Sequence, residues 1–126
     1  MKSLAALGAV AMSLALLSAC GPSKADRHWA ENVTGGKVAR GKIALQHYGC
    51  IACHTIDGME SQALVGPPLT HMASRSYLAG NLTNDAPNMI RWIQKPREIH
   101  KDTAMPDVGV TDSDARDIAS YLYSYR

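Results

Sequence analysis

Cys50-Ile51-Ala52-Cys53-His54 is the stretch on which the reading of this 126-residue chain turns. Two thiols three positions apart sit on one turn of chain, and an imidazole follows at once. This C-x-x-C-H order is the sequence form of c-type haem attachment. The spacing has a geometric reason. Both thiols can meet the two vinyl groups on one haem edge as thioethers, and the next residue, His54, is then placed under the iron as proximal ligand. Two other readings use the same residues. A thioredoxin-like redox pair normally sits beside a βαβ pattern, and no such pattern surrounds Cys50 and Cys53. A structural zinc site needs a fourth ligand of comparable quality.

Outward from the motif, helical periodicity is clearest on both flanks. Val38, Gly41, Leu45 and Tyr48 recur at three- and four-residue steps, which predicts a helix over about 36–48 that Gly49 ends. Residues 55–83, with Gly66-Pro67-Pro68, read mostly as loop. A short helix is expected over 86–95, with Met89, Trp92 and Ile93 on one face and Pro96 closing it. Residues 97–110 read as loop. Thr111 and Asp114 form a capping box that opens a last helix carrying Ala115, Ile118, Ala119 and Leu122. The sequence shows no alternating strand run and no Rossmann or phosphate-loop glycine pattern.

A haem bound through Cys50, Cys53 and His54 needs a sixth ligand from later in the chain. Met59, Met72, Met89, Met105, His71 and His100 are the candidates. Met89 lies on an apolar helix face, where a core role is the simpler reading. Met105 stands in an extended Thr-Ala-Met-Pro segment whose backbone Pro106 stiffens. A thioether there raises the reduction potential and closes the sixth position, which suits electron transfer over oxygen chemistry. The alternatives are packing of Met105 near the haem with five-coordinate iron, or bis-His ligation. His28, His47, His71 and His100 read as exposed or structural.

The other end of the chain carries a second signal. Lys2 and the apolar run Leu4 to Leu17 have the form of a secretory signal and are short for a membrane span. Leu17-Ser18-Ala19-Cys20 resembles the lipobox of bacterial lipoproteins. Residues 1–19 are therefore expected to be a lipoprotein signal peptide, with lipid on Cys20. The simpler alternative is an ordinary signal peptide, with Cys20 incidental. Acyl chains contribute about 0.8 kcal/mol per buried methylene and hold a domain at a membrane face. Residues 20–34, polar with Gly, Pro and Ser, read as a tether, and 35–126 as the folded domain. The expected location is the bacterial periplasm or the outer face of a membrane.

Composition narrows the function classes. Hydrophobic residues make up 46% and aromatics only 6%, with no Phe, so a small core gains from a prosthetic group at its centre. A net charge of +2 gives no case for nucleic-acid binding. Arg91, Lys95, Arg97 and Lys101 cluster ahead of Met105 and either steer an acidic partner or form a solvated face that Glu98 and Asp102 dilute.

With these motifs in order, the chain resembles the class I cytochrome c family over roughly 36–125. Gly41 and Tyr48 precede the Cys pair as on the family's first helix. Gly66-Pro67 follows His54 at the family's interval, and the resemblance implies that the Pro67 carbonyl accepts a hydrogen bond from the proximal imidazole. It also implies that Arg75 lies near a haem propionate and that Trp92 takes the place of a haem-packing Tyr. Asn84 falls where many members have a Trp bonded to a propionate, and its amide retains a donor for that contact. Tyr121-Leu122 matches the last helix, whose aromatic packs on the first-helix glycine.

The implied fold is all-α, with three main helices plus loops around one covalent haem c. The implied function is one-electron transfer without enzymatic turnover, between a quinol-oxidising complex and a terminal oxidase. The alternative is a haem-bearing electron-transfer subunit of a periplasmic dehydrogenase or peroxidase. A redox or gas sensor needs an output segment for which this chain has no room.

Overall fold

The computed structural model describes residues 21–61 and 63–126, and the signal-peptide and Cys20 expectations lie outside them. The architecture is all-α, as expected. Among the described residues five helices follow in order: α1 (Lys24–Thr34), α2 (Val38–His47), α3 (Ala86–Gln94), α4 (Pro96–Ile99) and α5 (Asp112–Ser124). Single 3₁₀ turns stand at Cys50–Ala52 and Met72–Ser74. Strands β1 (Tyr77–Leu78) and β2 (Leu82–Thr83) form an antiparallel hairpin that pairs Tyr77 with Thr83 and Leu78 with Leu82.

α5 is the central element. The Thr111 hydroxyl caps it by accepting from the Asp114 N–H at 3.2 Å and donates to the Asp114 carboxylate at 2.9 Å, so the expected Thr111–Asp114 pair opens the helix through the hydroxyl. Of its 13 residues, the eight from Asp117 to Ser124 are all buried. α2 crosses α5 at Gly41, where a Cβ would overlap the Asp117 carbonyl and the Tyr121 Cβ. Gly36 meets the Arg116 backbone in the same way. Two glycines therefore set how closely the helices approach, because only a missing side chain lets backbone meet backbone. Asp117, with a side chain 3% exposed, bridges the crossing. It accepts from the Lys37 amide at 2.7 Å and from Arg40 Nε at 2.6 Å.

Three expectations change. Residues 24–34 are not a tether. Ser23 caps α1 by accepting from the Asp26 N–H, and Gly35, in the left-handed region at φ 72°, ends it. Ala30 and Thr34 of this helix are buried on α5, where the Thr34 and Ser120 hydroxyls meet. Its apolar stripe is only two small residues wide, too narrow to show as periodicity. Pro96 does not simply close a helix. It stands at the start of α4, a position where its missing N–H costs nothing. The 55–83 loop contains the hairpin and the Met72–Ser74 turn.

Candidate haem site

Gly49, in the left-handed region at φ 71°, turns the chain out of α2 directly into the Cys50–Ala52 turn. The amides of Cys53 and His54 both donate to the Cys50 carbonyl, at 3.2 and 3.0 Å. This winding is what lets residues three apart present both thiols from one turn. Cys50 and Cys53 are half-buried and are not joined to each other. Burial pushes the Cys50 thiol above its ordinary value. Ser61 braces the turn from outside, its hydroxyl hydrogen shared between the carbonyls of Ile51 at 2.8 Å and His54 at 2.6 Å. No sequence pattern singled out Ser61, because its role depends on how the following loop folds back.

His54 Nδ1 lies 2.7 Å from the Pro67 carbonyl oxygen. With a hydrogen on Nδ1 donated to that carbonyl, Nε2 keeps its lone pair for a metal, and the ring is fixed in plane. The ring packs against Gly66, where a Cβ would overlap it. The Gly66 amide donates to the Cys53 carbonyl at 2.7 Å, which closes the loop onto the motif. Gly66-Pro67 thus has two separable functions: the glycine makes room for the imidazole and the proline carbonyl orients it.

Arg75 Nη2 donates to the carbonyls of Pro68 at 2.7 Å and Thr70 at 2.9 Å, so this guanidinium also ties down the loop behind His54. Asn84 departs from the role expected of it. The two hydrogens of its Nδ2 are donated to the carbonyls of Met72 and Arg75, both at 2.7 Å, and its Oδ1 accepts from the Tyr123 hydroxyl. The amide organises the 72–84 segment and has no hydrogen left for a propionate.

Met89 and Met72 are core residues, 2% and 4% exposed. Met105 is half-buried in its loop, and its amide donates to the Thr103 hydroxyl at 3.2 Å. Trp92, half-buried on α3, stands edge-on to His100 with ring centroids 5.8 Å apart. His100 Nε2 is buried without a hydrogen-bond partner among the described residues. Two separate thiols, an oriented imidazole with one nitrogen free, a half-buried thioether and an unmatched buried nitrogen suit a covalently held haem. Among the described residues there is no cluster of three or more His, Cys, Asp or Glu side chains able to hold a metal ion.

The model of the cytochrome c family matches residues 38–125. The chain belongs to that family. As a cytochrome c it is a haem c electron-transfer protein, and the all-α fold is the class I fold. It is similar to cytochrome c oxidase subunit 2 of Alkalihalophilus pseudofirmus, at 28% identity over 97 residues. That match covers 76% of this chain, and the chain spans only 28% of the relative's length.

Proposed function

We propose that this cytochrome c is a mono-haem electron carrier of a respiratory chain. In this reading it is anchored by lipid at Cys20 to the outer face of a bacterial membrane, and it passes electrons from a quinol-oxidising complex to a terminal oxidase. The observation that carries the reading is the His54–Pro67 contact of 2.7 Å, which holds an axial imidazole in one orientation. The chain contains one C-x-x-C-H, at 50–54, which supports a single haem. Similarity to a terminal oxidase subunit supports the respiratory partner.

The bound haem supplies reversible one-electron chemistry. The chain's residues do the rest. Cys50 and Cys53 would hold it covalently, His54 and Met105 would be its ligands, and Trp92 would pack beside it. Two protein ligands kept in both oxidation states would limit reorganisation and leave no open site for oxygen. Arg91, Lys95, Arg97 and Lys101 are exposed, with Lys95 3.4 Å from Asp107, and they favour brief docking with an acidic partner.

Stopped-flow mixing of the reduced protein with oxidase-containing membranes tests the role. Oxygen-dependent reoxidation that slows as salt rises is expected. Met105→Ala should lose the methionine-to-iron charge-transfer band and gain carbon monoxide binding. Wild-type protein that already binds carbon monoxide readily, or turns over peroxide, would overturn six-coordinate Met ligation and favour an enzyme subunit.

A further inference from the structure

The helix that stands where a tether was expected changes what an anchor at Cys20 does. Only Gly21, Pro22 and Ser23 separate Cys20 from the first residue of α1. Three extended residues span about 10 Å at most, and Ser23 is already committed as the helix cap.

α1 cannot swing on its own. Ala30 is fully buried, Arg116 Nη1 reaches the Thr34 carbonyl at 3.2 Å, and Trp29 packs on Tyr123 with ring centroids 6.0 Å apart. Arg126 lies over the Trp29 ring at 4.0 Å and 3.5 Å from Asp26. The first turns of α1 and the last residue of the chain therefore share one pole of the domain. That pole presents Lys24, Arg27 and Arg126, offset by Asp26, together with an indole 37% exposed. Cations beside an amphipathic indole match the chemistry of an anionic lipid headgroup layer.

We infer that this pole, made of the first two turns of α1 and Arg126, rests on an anionic bilayer and holds the domain in one orientation. The inference rests on the lipid-anchored reading of Cys20. α5 leads away from the pole for 13 residues, about 20 Å of helix, to Thr111.

The test uses full-length, haem-loaded protein in vesicles of phosphatidylethanolamine and phosphatidylglycerol. Mass spectrometry of the N-terminal peptide reads acylation. Energy transfer from a headgroup dye to the haem reads its height. Hydrogen exchange reads which amides the surface covers. The expected result is one narrow height distribution, with slowed exchange over residues 24–29 and unchanged exchange over 100–110. A flexible Gly-Ser spacer between Pro22 and Ser23, or the pair Lys24→Glu and Arg27→Glu, should broaden the distribution. Acylated wild-type protein with a distribution as broad as the spacer variant overturns the orientation alone. An unmodified Cys20 overturns the anchor, and the orientation with it.

Discussion

Tyr123 on α5 donates its hydroxyl to the side-chain oxygen of Asn84 across 2.6 Å, and Asn84 in turn holds the carbonyls of Met72 and Arg75. One amide thus joins α5 to the 72–84 segment. Tyr123 is 4% exposed and burial raises its phenol's pKa, so it stays a neutral donor. Tyr123→Phe should cost about 1 kcal/mol, read as a lower urea midpoint. Because Arg75 stands on the loosened segment, the reduction potential should shift as well. An unchanged potential would mean that the segment does not reach the haem.

Gly66 lies against the His54 ring, and an added Cβ would overlap Cε1 and Nδ1. Gly66→Ala must displace the imidazole or the loop. A loss of about 1–3 kcal/mol is expected, with a weakened low-spin spectrum. Pro67→Ala keeps the carbonyl and should be much milder. Equal losses from the two would contradict the separate roles assigned to them.

Gly41 meets the Asp117 carbonyl, and backbone there has nowhere to go. Gly41→Ala should lose at least about 1–3 kcal/mol, although alanine is the better helix former. Thermal unfolding of the haem-loaded protein checks the sign. A gain in melting temperature would show that the crossing is loose.

Asp117 serves both the Lys37 amide and Arg40 from a buried position. Asp117→Asn removes charge-assisted hydrogen bonds in a place water does not reach, at a cost of about 2 kcal/mol. Arg40→Ala should cost less, because its side chain is 63% exposed and water replaces part of the pair. The order of the two denaturation midpoints is the measurement, and a reversed order would place the importance on Arg40.

Asp114 accepts from the Tyr48 hydroxyl at 2.8 Å and the Thr111 hydroxyl at 2.9 Å, and these bonds, Tyr48 first, hold its carboxyl below the usual carboxylate range. The folded state therefore releases this proton more readily than the unfolded chain. The resulting stability is present above the ordinary carboxylate pKa of about 4 and fades as pH falls through the lowered value. Tyr48→Phe should flatten that part of the acid limb in a urea series taken across pH. A limb with the same slope in both proteins would remove Asp114 from the account.

The residues 50–54 specify their own chemistry, because thiol, thiol and imidazole act at fixed short spacing along one turn. Gly66-Pro67 read from its own residues only as loop, its role came solely from the family resemblance, and the 2.7 Å contact agrees with that. The faces of α2, α3 and α5 were legible too, since an apolar stripe at helical period encodes a buried side. α1 was not, although Ser23, Asp26 and Gly35 are ordinary start and stop signals, because Ala30 and Thr34 are too small to make a stripe. What Asn84 bonds was decided by the fold alone. An amide has no preferred partner in sequence, and only the approach of Tyr123, 39 residues away, and of two carbonyls to one point uses all its polar atoms at once. Short-range order carries its instruction in spacing, whereas long-range hydrogen bonding exists only after the chain has closed on itself.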